Sequence, residues 1–327
     1  MRSPCESLRH TSVAMASGRI SRRGLLAGGA ALFGVGAFVE VESLEGRFDH
    51  RRSPGTSGSR YGESLAALER AGMTGVARAS IVHVGHSTHV LCIGGLRLLT
   101  DPWFYDPAFG ALEHEIPPAV LARDVGRLDA ILITHDHADH ADARAMDEMD
   151  KRASVIVATN ELAARMRNLG YREVLVLAPW EAHTIEDVTI TAVPGLHDIY
   201  EIGYVVQGGG TSVYFAGDSR LHPALPAIAE RFQPDVSILS CDGTRLAGGD
   251  LHVMTPEDAV TAARTLRSKL VLPSHAEAVF SDPLVSHLLA STVAQARFLF
   301  SEQMARALPG VRCVVPAPGE LVAIDLR

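Results

Sequence analysis

The segment Ile131-Leu-Ile-Thr-His-Asp-His-Ala-Asp-His140 sets four potential metal ligands, His135, His137, Asp139 and His140, on six consecutive positions straight after a short apolar run. Alternate side chains of an extended backbone point to the same side, so His135 and His137 can grip one ion together. After a bend, Asp139 and His140 can face a second. Imidazoles mixed with a hard carboxylate, and no thiolate, suit zinc first, with manganese or iron(II) as alternatives, over copper(I) or magnesium. The competing expectation is a solvated His/Asp-rich turn that takes up metal casually.

Further ligand types downstream weigh against that alternative. His197, Asp218 and His275 each follow shortly after an expected strand, as the 135–140 group does. Sheets can therefore deliver all seven side chains to one edge, where sites in α/β architectures commonly lie. Taken singly, His197 could cap a loop, Asp218 could be a turn residue after Gly217, and His275 could be a surface histidine. The set of seven argues for a metal centre.

With the ligand types in hand, His135-Asp-His137-Ala-Asp139-His140 resembles the intact His-x-His-x-Asp-His signature of the metallo-β-lactamase superfamily. Gly85-His-Ser-Thr88, Thr100-Asp-Pro102, Phe215-Ala-Gly-Asp-Ser219 and His252-Val-Met-Thr-Pro-Glu-Asp258 resemble the branch containing L-ascorbate 6-phosphate lactonase and N-acyl phosphatidylethanolamine phospholipase D. The resemblance runs over about residues 79–325. It implies an α/β fold of four layers, an αββα sandwich with two β-sheets flanked by helices. It also implies two divalent metal ions, His135, His137 and His197 holding one and Asp139, His140 and His275 the other, with Asp218 bridging them.

Two such ions can generate hydroxide near neutral pH, because metal binding lowers the pKa of water from about 15.7 to around 7. The expected reaction is hydrolysis of a phosphodiester, a lactone or a related ester by that metal-bound hydroxide. Asp139 would also orient the nucleophile, and His252 would assist the leaving group. Counting two divalent ions against Asp139, Asp218 and one hydroxide leaves a net positive centre, which favours a small, anionic substrate. The chain departs from the branch at Asp198 and Ala276, where lactonase-like relatives often carry aromatics, so substrate identity does not carry over.

Around these residues several roles stay open. Asp101 could accept a proton from a ligating imidazole or belong to a plain Asp-Pro turn. His86, at the head of a hairpin, reads as structural rather than catalytic. Arg245 could clamp a phosphate if it faced inward, or be a solvated surface residue. Cys241 ends an expected strand and could approach the active face. A di-iron redox enzyme on the same scaffold is the first alternative function, since fold does not fix reaction. Against it stand the missing flavin-binding companion domain and the export signal described below. A non-catalytic metal-binding envelope protein is the second. A β-lactam substrate is disfavoured by the Gly85-His-Ser-Thr88 and His252–Asp258 motifs.

At 327 residues and 47% hydrophobic composition, the chain can bury one large core or two small ones. Its formal charge of −8 argues against a general affinity for nucleic acid or anionic lipid. Cysteines at 5, 92, 241 and 313 form no Cys-x-x-Cys pair, so neither a disulfide framework nor a thiolate metal site is indicated. Near the start, Ser21-Arg-Arg-Gly-Leu-Leu26 followed by an uncharged Gly/Ala-rich stretch to Val39 reads as a twin-arginine export signal. The stretch is shorter than the ~20 residues of an ordinary membrane span. Val35-Gly-Ala37 would allow cleavage after Ala37, and a start at Met15 would give a more usual leading region. Residues 1–39 are thus expected to engage the twin-arginine machinery. The product would be periplasmic or extracellular, or membrane-anchored if the signal is kept.

Residues 40–78 read as a flexible linker with a short helix at Ser64 to Ala71, and 79–327 as the hydrolase domain. Apolar runs joined by Gly94-Gly95 and by Gly208-Gly-Gly210 predict hairpins. Strands are expected at 128–134, 154–158, 235–241 and 269–273. Helices are expected at 118–123, 142–149, 161–169, 223–231 and 255–267, with a long one within 283–307. Thr255-Pro-Glu-Asp258 is a helix start with proline in the first turn and acids at the positive end of the dipole. No sequence repeat is evident.

Overall fold

The computed structural model describes residues 59–71, 79–246, 249–281 and 290–325. The expected export signal and most of the expected linker lie outside them. The linker's helix runs Ser59–Ala71, longer than the sequence suggests. Its Leu68 is buried in the domain core, and the Leu68 carbonyl accepts a hydrogen bond from Arg97 Nη1. This helix therefore packs as part of the folded domain.

Two seven-stranded sheets dominate the chain. The first runs, in spatial order, Leu321–Ile324, Ala79–Gly85, Thr88–Ile93, Leu96–Thr100, Ala130–Ile133, Ser154–Val157 and Val174–Val176. Its first three pairings are antiparallel and its last three parallel. The second runs Arg312–Cys313, Leu270–Ser274, Val236–Ser240, Thr211–Phe215, Ile202–Gly208, Val188–Pro194 and Ala182–Ile185. There the first three pairings are parallel and the rest antiparallel. Each half of the chain thus lays down a meander and then adds strands by parallel crossovers, a repeat of topology invisible in residue identities.

Alternation along the strands builds the layers, because successive side chains face opposite sides of a sheet. Ile81, Leu98 and Leu132 meet Ile190, Tyr204, Phe215 and Ile238 between the sheets. Their neighbours Val82, Leu99 and Ile131 turn the other way, onto Met146, Leu162 and Met166 of helices Ala143–Glu148 and Asn160–Asn168. On the far side, Val205, Tyr214 and Leu239 pack against Ile228, Ala259, Phe300 and Met304 of helices Leu225–Phe232, Pro256–Leu266 and Ala296–Ala307. The result is the expected αββα sandwich.

Helix starts hold as expected. Asp142 accepts from the backbone N–H groups of Arg144 and Ala145, and Thr255 with Asp258 forms a reciprocal capping box. Two expectations are revised. The segment expected to be helical at 118–123 is irregular and bent apart from one turn of 3-10 helix at Ala122–Asp124. The helix expected within 283–307 is described only from Ala296. Two small pairings, Leu112–His114 with Ala278–Phe280 and Arg245–Leu246 with Ala290–Ser291, carry no period long enough to be read from sequence. Among the described residues, no helix is long and apolar enough to cross a membrane.

Candidate metal centre

One edge of the sandwich collects the chemistry. His135 follows strand Ala130–Ile133, Asp101 follows Leu96–Thr100, Asp218 follows Thr211–Phe215, Asp242 follows Val236–Ser240, and His275 follows Leu270–Ser274. His86 sits in the tight turn between Ala79–Gly85 and Thr88–Ile93. Backbone strain concentrates here: His86, Asp101 and His275 hold φ of 52°, 31° and 48°, in the left-handed region that non-glycine residues avoid.

The seven expected side chains converge. His135, His137, His197 and Asp218 form one group and His140, Asp139 and His275 belong to a second, each with donor atoms within 4.8 Å of one another. In the first, His137 Nδ1 lies 3.0 Å from His135 Nε2 and 3.1 Å from His197 Nε2. Asp218 Oδ2 joins the groups, at 3.1 Å from His140 Nε2, 3.0 Å from His275 Nε2 and 3.9 Å from His135 Nε2. The second group also contains His86, for which the sequence favours a structural role over a catalytic one.

Outer partners decide which ring nitrogen faces inward. His140 Nδ1 donates to Asp101 at 2.8 Å, and His275 Nδ1 to Asp242 at 3.1 Å. His197 Nδ1 donates to the His252 carbonyl at 3.0 Å. Thr134 Oγ1 gives its own proton to Asp101, so at 2.9 Å it accepts one from His135 Nδ1. With these protons pinned behind, the Nε2 lone pairs of His135, His140, His197 and His275 all point into the centre. Lone pairs and buried carboxylates facing one another at 3 Å repel unless positive charge lies between them. The donor set therefore fits divalent cations.

For His135 and His137 the electrostatics agree with that fit. Burial, with neighbouring imidazoles adding to it, holds His135 well below its ordinary range, and burial with His197 brings His137 to about 4. Both are neutral, the ligating form. Burial opposes charge on Asp139 and Asp218, yet the surrounding histidines, His140 foremost, hold both carboxyls well below the usual range. For His140 and His275 burial again opposes charge, but Asp218 and the other carboxylates raise both rings well above the ordinary value.

Some expected roles are now located. Asp101 does sit behind a histidine of the centre. His252 lies at the rim, its Nδ1 3.0 Å from Asp198, whose other oxygen is 2.8 Å from His197 Nε2. Arg245 turns away, an exposed side chain bonded to the Gly249 carbonyl of its own loop, so it is no phosphate clamp. Cys241 is buried in the core facing the second helical layer, where burial pushes its thiol up.

Four residues escaped the sequence reading. Asp242 follows its strand as Asp218 does, a signal that could have found it. Asp198 was noticed only as a departure, and Glu277, which bonds His83 and the His86 backbone, carried no signal. Nor did Glu201, whose Oε1 accepts from the Asp218 backbone N–H at 2.6 Å and which burial pushes up to about 8.

Comparison with known proteins agrees with this geometry. Residues 96–276 match the Beta-lactamase superfamily domain family. The UPF0173 metal-dependent hydrolase of Pyrobaculum aerophilum is 30% identical over 197 residues, covering 58% of this chain and 81% of the relative. Among solved structures, the isothiocyanate hydrolase from Delia radicum gut bacteria superposes with a TM-score of 0.61 at 22% identity, over 75% of this chain and 99% of its own. A diiron β-hydroxylase from Streptomyces venezuelae gives 0.57 at 17% identity, over 76% of this chain and 54% of its own. The two structures share the fold, and the family match with the curated relative carries the chemistry: this chain belongs to the metallo-β-lactamase superfamily and is a metal-dependent hydrolase.

Proposed function

We propose that the protein is an exported hydrolase of lactones, phosphodiesters or related esters that works with two divalent ions, zinc first, manganese or iron as alternatives. The observation that carries the two-ion reading is Asp218, whose Oδ2 faces both imidazole groups at once. His135, His137 and His197 would hold one ion, Asp139, His140 and His275 the other, with Asp218 shared. When bound, such a pair supplies a water acidic enough to be deprotonated near neutral pH and a Lewis acid for the acceptor oxygen.

The protein's own groups supply the rest. Asp139 Oδ1 is buried without a hydrogen-bond partner, free to orient an attacking water. His252, anchored by Asp198, stands at the rim where a leaving group departs and can hand it a proton. Phe109 meets the His137 ring edge-on at 5.5 Å and contributes an apolar wall.

Charge refines the substrate class. Asp101, Asp198 and Asp242 all lie within 3.1 Å of histidines of the centre, and sequence counting omitted them. Their negative charge offsets part of the ions' positive charge. The balance shifts from strongly anionic substrates toward lactones and uncharged esters. Motif similarity to the lactonase and phospholipase D branch supports hydrolysis of a lactone or phosphodiester, and Ser21-Arg-Arg-Gly-Leu-Leu26 supports export.

The test is turnover by metal-reconstituted protein on a lactone panel, p-nitrophenyl esters, bis-p-nitrophenyl phosphate and nitrocefin. Hydrolysis of lactones or esters above the phosphodiester, lost on chelation, is expected. Unchanged turnover in a folded His137→Ala variant would overturn the assignment.

A further inference from the structure

We propose that His86 is a direct ligand of the second metal position, making that position richer in imidazole than the expected Asp139, His140 and His275. The inference rests on the two-ion reading above and extends it by one residue that neither the signature motif nor the sequence analysis assigned.

Geometry carries it. His86 is 1% exposed, and neither of its ring nitrogens has a hydrogen-bond partner. A buried imidazole in that state is unfavourable unless something outside the polypeptide completes it. Its Nε2 lies 3.8 Å from Asp139 Oδ2, while His140 Nε2 and His275 Nε2 lie 3.6 Å from that same oxygen. These separations are too long for hydrogen bonds. They match the edges of a coordination shell, since donors ~2.1 Å from one ion stand roughly 3.4 to 4.2 Å apart, depending on the angle between them. The ring also lies 4.1 Å, centroid to centroid, from His275, tilted by 54° rather than stacked.

The backbone fixes His86 for this task. Its N–H donates to Glu277 at 3.1 Å and its carbonyl accepts from the His275 N–H at 3.4 Å. The turn that presents His86 is thus tied to the strand end that presents His275. Glu277, bonded at 2.8 Å to His83 as well, is a positioning residue behind the ligand. Holding a histidine at φ 52° in a two-residue turn is a strained choice. Liganding gives that strain a reason.

Cobalt(II) titration of the metal-stripped full chain tests the assignment, with stoichiometry from elemental analysis and the visible ligand-field spectrum as readouts, alongside His86→Gln and His86→Asn. The asparagine variant tolerates the left-handed backbone and guards against loss of folding, checked by circular dichroism of the metal-free forms. The wild type is expected to take two ions in resolvable steps. Both variants should keep the first, while the second weakens by at least about 100-fold, the upper end of what losing an outer partner does, with a changed spectrum. Variants that take both ions with wild-type affinities and spectra would overturn the proposal, leaving His86 as a ring bonded to water in the small cavity it lines with His83 and Glu277. A wild type that takes one ion only would overturn the two-ion reading and this assignment with it.

Discussion

At the scale of single residues, the centre is a dense group of histidines and carboxylates with further carboxylates set behind them. Four candidate ligands within 135–140 cannot be mistaken for packing, whereas Asp198 and Glu201 act one at a time beside histidines and have no spacing to betray them, and Asp101 and Asp242 are marked only by following a strand. Their importance is nonetheless measurable. Asp101 accepts from His140 Nδ1, the Thr134 backbone and the Thr134 hydroxyl. Asp101→Asn keeps the shape but removes the charge that fixes the His140 tautomer, so metal affinity should fall by about 10- to 100-fold in a competition titration. Unchanged affinity would mean that His140 is not held from behind.

A second prediction at this scale concerns His222, away from the centre, whose ring burial brings to about 4 and whose Nε2 has no hydrogen-bond partner. The folded state keeps it neutral while the unfolded chain takes up a proton below its ordinary value near 6.5. Stability from this residue is therefore complete above pH 6.5, declines as pH falls toward 4, and is flat below. After allowing for partial solvent screening the loss is about 1–2 kcal/mol. In urea titrations, the stability of the wild type minus that of His222→Leu should fall by that amount between pH 7 and 4. A parallel decline in both proteins would assign the pH dependence elsewhere.

At the scale of elements, the Gly-Gly hairpins, the capped helix at 256–266 and the β/α alternation could be read from turn chemistry and periodicity. The short pairings that link Leu112–His114 to Ala278–Phe280 could not, because three-residue strands distant in sequence leave no period. The turn after Thr211–Phe215 shows how an element is tied to the centre. Gly217 holds φ 64°, and a Cβ there would meet Glu201 Oε1 at 2.5 Å and Thr134 Oγ1 at 2.9 Å. Gly217→Ala combines an incompatible backbone with overpacking, and should lower stability by about 2–4 kcal/mol in denaturant unfolding. A loss below about 0.5 kcal/mol would show that the turn can relax without the glycine. Removing the helix cap with Thr255→Ala should cost about 1 kcal/mol by the same measurement.

At the scale of the whole molecule, two sheets built by the same order of meander and crossover bring strand ends from both halves of the chain to one edge. That convergence is what the sequence could only suggest, because His135 and His275 are separated by the first six strands of the second sheet and meet only through topology. The layers themselves were foreseeable from alternation, but which edge would collect the ligands was not.

We propose that the two imidazole groups on either side of Asp218 hold a pair of cations. Anomalous diffraction from crystals of the zinc-loaded protein, collected at the zinc edge, tests it most directly. Two peaks about 3.5–4 Å apart are expected, one among His135, His137 and His197 and the other among Asp139, His140 and His275, with Asp218 between. A single peak, or peaks away from these side chains, would contradict the shared-carboxylate centre.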